Sequence, residues 1–306
     1  MSARAWTCFA AVSVLWGMPY LFIKLAVDEV EPVFLAWSRV ALGAAIMLPL
    51  AWRTGALQGL KRRWRALAAY SVCEIAIPFP LISFGEQHVA SSLTAILIAG
   101  MPLMVAVLAL WIHPSERADS ARLVGLVVGL GGVVALLGID VAGDGKQLLG
   151  AGAILLATVG YATAPLILSR GLSETDARGV IAIALGMSAV ALAPAALATA
   201  PSSTPSATAL ASIAVLGVAC TALALVLFAV LVADAGPSRA SVITYVAPVV
   251  AVALGVTVLG EHIGAGAVAG LLLILAGSWL STDGRMPPGL VAFATRLGRP
   301  ARRAAP

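Results

Sequence analysis

The sequence predicts an all-α integral membrane protein whose ten transmembrane helices form two inverted five-helix repeats. Composition, the length of the apolar runs and the likeness of one half to the other carry that prediction. Of 306 residues, 61% are apolar and 11% are charged, whereas an ordinary soluble domain has roughly 25% charged residues. A chain so short of charge cannot cover a water-exposed surface. The net charge of +5 does not indicate nucleic acid, because the basic residues stand in short runs between apolar segments, as at KRRWR from Lys61 to Arg65. Membrane topology explains that grouping, and the lipid bilayer is the partner it implies.

A span needs roughly 20 mainly apolar residues. Ten segments qualify, near 6–26, 32–52, 66–85, 90–112, 121–139, 148–169, 177–198, 208–233, 238–259 and 264–282. The first has the flavour of a signal peptide, but Gly17 and Pro19 interrupt it, it lacks a clear A-x-A cleavage site and many spans follow. It is read as a membrane helix. The connections are short, and the long polar stretch is the basic tail after Asp283.

Lys and Arg accumulate on the cytoplasmic side of a membrane. The loops after the second, fourth, sixth and eighth spans carry Arg53, Lys61 to Arg65, Arg117, Arg122, Arg170, Arg178 and Arg239, with Arg4 before the first span. The tail adds Arg285, Arg296, Arg299, Arg302 and Arg303. All fall on one side. The opposite loops hold Lys146 among Asp28, Glu29, Glu31, Asp140 and Asp144. A multi-pass protein of the cell membrane with both termini cytoplasmic is expected.

The two halves resemble each other. GMPLMVAVLALWIHPSERADSARLVGLVVGLGGVVALLG from Gly100 lies over VAPVVAVALGVTVLGEHIGAGAVAGLLLILAGSWLS from Val246, so that Pro102 matches Pro248, Glu116 matches Glu261, Gly125 matches Gly270 and Gly132 matches Gly277. Earlier, WGMPYLFIK at Trp16 falls opposite YATAPLILS at Tyr161. This places repeats at 1–140 and 141–283 and a basic cytoplasmic tail at 284–306. Five spans is an odd number, so the second repeat starts on the opposite side. Inverted repeats are an architecture of secondary transporters, whose substrate site lies near the midplane between the repeats.

Polar residues inside the spans are the candidate site. Trp16, Tyr20 and Lys24 recur every fourth residue and share a helical face. Lys24, near the outer end, is expected to snorkel. Trp16 and its counterpart Tyr161 either line a central cavity or pack against neighbouring helices. In the third span Tyr70, Glu74 and Pro78 share a face, and Pro78 and Pro80 leave backbone carbonyls in need of partners or water. Glu74 reads as a cavity residue and the proton-coupling candidate, since burial disfavours the charged form of a carboxyl; the alternative is a structural, hydrogen-bonded Glu. Tyr245 of the ninth span completes the cavity candidates.

Arg39 stands inside the apolar run FLAWSRVALGAAIMLPLAW. An Arg in a membrane helix is costly and usually faces a bundle interior or a water-filled cavity. Arg39 either binds a carboxylate or phosphate, or partners Glu74 or backbone carbonyls; its place in the outer part of the span favours the structural role. Glu86 and His88 are expected at the interface, solvated. Cys8, Cys73 and Cys220 stand singly and are read as buried apolar residues, implying no disulfide framework or metal site. GLVVGLGG and GAGAVAG read as close helix packing.

These features together resemble the EamA family of the drug/metabolite transporter superfamily over nearly the whole chain. The resemblance rests on Trp16–Gly17, the pattern from Pro32 to Arg39, GEQHVASSLTAILIAGMPLM from Gly85, SER from Ser115 followed by Gly125, and LGE from Leu259. It implies a ten-helix transporter with a central cavity that exports or exchanges small metabolites. Ala184 stands opposite Arg39, so the cavity need not be symmetric. The expected function is secondary transport of small metabolites, amino acids and their relatives first, by alternating access and without a cofactor; a passive channel is the alternative. The sequence contains no H-E-x-x-H, G-x-S-x-G or G-x-G-D pattern and only three His, which speaks against an intramembrane enzyme.

Overall fold

A computed structural model describes residues 1–112, 120–141 and 143–281, and within them all regular structure is helical. Ten apolar helical segments follow in order: α1 (Ala3–Ala26), α2 (Pro32–Arg53), α3 (Leu60–Glu86), α4 (Ser91–Leu108), α5 (Leu123–Ile139), α6 (Gly145–Gly171), α7 (Ala177–Ala198), α8 (Ala207–Ala235), α9 (Ile243–Leu259) and α10 (Ala265–Ser281). Seven are long and apolar enough to cross a membrane; α5, α9 and α10 are shorter. The basic tail, Glu116 and His113 lie outside the described residues.

Local chemistry sets where these helices start and bend. The Ser2 side chain accepts a hydrogen bond from the Ala5 N–H at 3.0 Å and caps α1. α1 breaks at Met18, because Pro19 has no N–H to give and restarts the helix as its first residue. A Cβ built on Gly17 would fall 2.7 Å from Val250 Cβ, so the bare backbone lets α1 close on α9 at the break.

α3 opens with a 3-10 turn at Leu60–Arg63 and contains a π-helical turn at Val72–Ala76. The Ile77 N–H reaches back to the Val72 carbonyl at 3.1 Å, and Pro78 then begins the last helical stretch. α8 has a π-helical stretch at Val215–Leu223, which covers the corresponding part of the second half. Such irregular turns need a partner for the displaced carbonyls, and in α8 the Thr221 hydroxyl donates to the Leu216 carbonyl at 2.8 Å.

The helix contacts come in matched pairs. α2 packs on α7 and α5 on α10; α3 packs on α6 as α8 packs on α1, and α4 packs on α6 as α9 packs on α1. This two-repeat pattern needs close approaches, since lipid supplies no hydrophobic force between helices. One such approach is between α5 and α10, where a Cβ built on Gly277 would run into Gly129 Cα. Ser71 of α3 adds a buried polar lock to α7, donating to the Ala184 carbonyl at 3.0 Å and lying 2.7 Å from the Ser188 hydroxyl. Val127, Val134, Val190 and Leu197 are exposed on the outer faces of the bundle, as lipid-facing residues should be.

The two ends of the bundle differ in charge. One, here the acidic end, has the connections with Asp28, Glu29, Glu31, Asp144 and Glu261; the other, the basic end, has those with Arg53, Lys61, Arg62, Arg63 and Arg239.

Candidate functional site

The halves enclose a central cavity of about 420 Å³, within the range of roughly 300–1,000 Å³ usual for small-molecule sites. Six of the seven residues singled out from sequence line it: Trp16, Tyr20, Arg39, Tyr70, Glu74 and Tyr161. Tyr245 is not among the lining residues. The side of α9 turned inward carries Thr244 and Pro248 instead.

Arg39 departs from its expected partners. It makes no ion pair with Glu74 or any other described residue and bonds no backbone carbonyl. Its Nε donates to the Thr221 hydroxyl at 3.0 Å, and its guanidinium lies 4.2 Å from the centre of the Phe79 ring. Thr221 is available because the π-helical stretch of α8 displaces it toward α2; a Cβ built on Gly217 would lie 3.1 Å from the Arg39 carbonyl, which measures how closely the helices meet. The cation–π contact and one hydrogen bond fix the guanidinium. Its two Nη groups make no protein hydrogen bond among the described residues, and the residue lines the cavity.

Glu74 sits on the π-helical turn of α3, is half-buried, and receives no hydrogen bond from a described residue. Tyr161 also lines the cavity, within electrostatic reach of both Glu74 and Arg39. The Trp16 ring packs at a tilt on Phe228 with centroids 4.8 Å apart, and the residue also lies along the cavity wall. Chemically, the cavity offers planar N–H donors suited to a carboxylate or phosphate, a carboxylate suited to a cationic group, and aromatic and aliphatic walls for an apolar body.

Phe79, Cys220, Thr221 and Phe228 also line the cavity and were not singled out from sequence; as ordinary apolar-span residues they carry no signal there. Cys8 and Cys220 are buried as expected, whereas Cys73 is only half-buried.

The acidic end corrects two further expectations. Lys24 does not snorkel to water. Its ammonium turns inward to the carbonyl of Glu86, the last residue of α3, at 2.6 Å and to that of Val89 in the α3–α4 connection at 3.2 Å. Glu86 is not solvated at an interface but is 0% exposed, and neither carboxylate oxygen has a hydrogen-bond partner among the described residues. His88 lies with its ring Nδ1 3.0 Å from the Phe84 carbonyl.

Two other carboxylates at this end are well bonded. Glu29 takes the Ser206 N–H at 2.8 Å and hydroxyl at 2.7 Å, and these bonds hold its carboxyl below the usual range. Glu261 takes the N–H groups of Ser91 at 2.7 Å and Ser92 at 3.0 Å, capping the N-terminus of α4 from the α9–α10 connection. Partial burial pushes the Glu261 carboxyl up, and the bonds from Ser92 and Ser91 outweigh it, leaving it below the usual range.

Comparison with known proteins gives this architecture a family. The chain matches the model of the EamA-like transporter family twice, at residues 4–138 and 148–282. It is 30% identical to Protein PagO of Salmonella typhimurium over 132 residues, a match spanning 42% of each chain and so less than half of that relative. It is 26% identical to the uncharacterized inner membrane transporter YedA of Escherichia coli, over 82% of this chain and 81% of that one. A crystal structure superposes with a TM-score of 0.63 at 19% identity, covering 98% of this chain and 100% of the other, which speaks to the fold alone. Both halves of the chain therefore fall under one family description, and the protein belongs to the EamA-like transporter family.

Proposed function

We propose that the protein is a secondary transporter of the cytoplasmic membrane that carries small zwitterionic or amphipathic metabolites, amino acids and their relatives first, by alternating access. The acidic end faces outward and both termini lie inside. The repeats span 1–140 and 141–283, and the direction is export or exchange. The observation that supports this reading most is a single cavity holding the unused Nη donors of Arg39, the donor-free carboxylate of Glu74 and the rings of Trp16, Tyr20 and Tyr161. In the reading, Arg39 takes the substrate carboxylate in a two-point contact, Glu74 takes the ammonium and the rings enclose the side chain.

Glu74 also couples transport to protons. With no substrate cation beside it, the carboxylate lacks a protein counter-charge, and a proton fills that place.

Counterflow of labelled amino acids into liposomes containing the purified protein, with a pH-sensitive dye inside, tests the reading. Uptake against a gradient driven by unlabelled amino acid is expected. Flux that only dissipates gradients points to a channel, and no flux for any amino acid overturns the substrate class. Glu74→Gln should flatten the pH dependence of net transport while exchange persists; an unchanged pH profile removes Glu74 from coupling.

A further inference from the structure

The ends of the bundle are held together differently. At the acidic end one apolar cluster, including Ile23, Val30, Leu35, Ile82 and Leu216, joins α1, α2, α3 and α8 above the cavity. At the basic end the packing forms a cluster of α2, α3, α6 and α7, which α8 reaches at Ala222, and another of α1, α8 and α9. The cavity extends between these two, down to Ile243 and Thr244 in the first turn of α9.

The polar ties follow the same division. Lys24 joins α1 to the end of α3, Glu29 joins the α1–α2 connection to α8, and Glu261 joins the α9–α10 connection to α4. At the basic end the ties stay within a cluster: Arg63 of α3 bonds the Gly171 carbonyl of α6 at 2.7 Å, and Arg4 of α1 lies 3.8 Å from Asp234 of α8. The arrangement is closed at the acidic end.

Glu86 is the unexplained member of that closure. It is the last residue of α3, it does not line the cavity, and both of its oxygens are buried without a partner among the described residues. The titratable groups within electrostatic reach of it are Lys24 and Tyr20 from α1, Arg39 from α2 and Glu261 from the α9–α10 connection; His88, two residues on, is turned to the Phe84 carbonyl. None of them hydrogen-bonds the carboxylate. Lys24 holds two backbone carbonyls, Arg39 is placed by Thr221 and Phe79 with neither Nη group bonded to Glu86, and Glu261 is of like charge and occupied by α4. An ionised carboxylate in such a place has lost its water and gained no donor, and buried carboxyls so placed are found neutral.

We propose that Glu86 is a proton-binding site that latches the acidic end of the bundle. With the proton on its carboxyl, Lys24 holds the Glu86 and Val89 carbonyls and the end stays shut. When the proton passes to water on the acidic side, the Lys24 ammonium turns from the carbonyls to the carboxylate of the same residue. A pair between two side chains reaches further than a side chain bound to backbone, so α1 can part from α3 and α4 with neither charge left alone. The inference rests on the alternating-access reading, since it takes the acidic end to open. It assigns Glu86 a proton separate from that of Glu74, because Glu86 lies outside the cavity.

The test reads gate opening rather than transport. In a cysteine-free background, Val30→Cys places a thiol at a position 1% exposed in the closed cluster, and Asp28→Cys gives an exposed reference nearby. The labelling rate of the first, divided by that of the second, removes the reactivity of the thiol itself. This ratio should rise with pH, at most about tenfold per unit for one proton, with native Glu86. It should stay low and flat in Glu86→Gln and recover its pH dependence in Glu86→Asp, which also establishes that the variants fold. A Glu86→Gln ratio that follows the native profile overturns the latch. A flat native ratio alongside working counterflow overturns the latch and leaves the transport reading standing; a pH-dependent ratio without counterflow supports the latch and removes the proposed substrate class.

Discussion

Four charged side chains set into the bundle, Lys24, Arg39, Glu74 and Glu86, lie in α1 to α3, while the positions opposite them in the second half are Ser169, Ala184, Ala219 and Leu231. The backbones do not differ in this way. Both halves carry a π-helical stretch, at Val72–Ala76 and at Val215–Leu223, and their helices contact one another in matched pairs. The scaffold is duplicated and the chemistry is not. A cavity between two like repeats thereby acquires one charged wall and one neutral wall, and the neutral wall serves the charged one: Thr221 positions Arg39, and the Ala184 carbonyl receives Ser71.

Restoring the missing charge should break this arrangement most severely. Ala184 is 0% exposed and its carbonyl is in use, so Ala184→Arg would bury a guanidinium without a partner, a change that costs about 3–5 kcal/mol when a buried charge is left uncompensated. Loss of the monodisperse peak in size-exclusion chromatography is the expected result. A folded Ala184→Arg protein would mean that the second half has room for charge and that the asymmetry is not structural.

The shared scaffold predicts equal effects instead. A Cβ on Gly132 would meet the Ile274 N at 3.0 Å and one on its counterpart Gly277 would meet Gly129 Cα. Gly132→Ala and Gly277→Ala should each destabilise the α5–α10 pair by about 1–3 kcal/mol through overpacking against backbone, with similar downward shifts in thermal unfolding. A large effect at one and none at the other would contradict the matched packing.

The smallest effect belongs to the acidic end. The folded Glu261 carboxyl titrates below its ordinary range, so the stability it contributes is present above that range and lost as the pH falls through the lowered value. Glu261→Gln should lower the melting temperature at pH 7 by an amount worth up to about 1 kcal/mol. The difference from native protein should close as the pH falls below the ordinary range of a glutamate carboxyl. A gap that persists in acid would assign Glu261 a role other than its charge.

Much of the fold was legible in sequence because bilayer thickness fixes the length of an apolar run: α7 occupies 177–198 as expected, and α2 ends one residue beyond its expected end. The start of α9 was placed at 238, but a short helix at Pro237–Ala240 and a turn precede it. Tyr245 was misplaced for a related reason. ITYVAPVV is hydrophobic all round, so nothing in it fixes which side of α9 faces the centre. The surroundings of Arg39 and Glu86 were illegible on other grounds. Thr221 and Lys24 lie far from them in sequence, and only the packing of α8 on α2 and of α1 on α3 brings them together.

The central claim is that the charged wall reads both ends of a zwitterion, and competition in the counterflow assay tests it most directly. An amino acid that competes for uptake should lose that ability as its methyl ester, which lacks the carboxylate for Arg39, and as its N-acetyl derivative, which lacks the ammonium for Glu74. At about 1.5–3 kcal/mol for a hydrogen bond to a charged group, each loss should weaken competition by roughly 10- to 150-fold. Arg39→Ala should remove the discrimination against the ester and Glu74→Gln that against the acetylated form. Competition by both derivatives as strong as that of the parent amino acid would contradict the account.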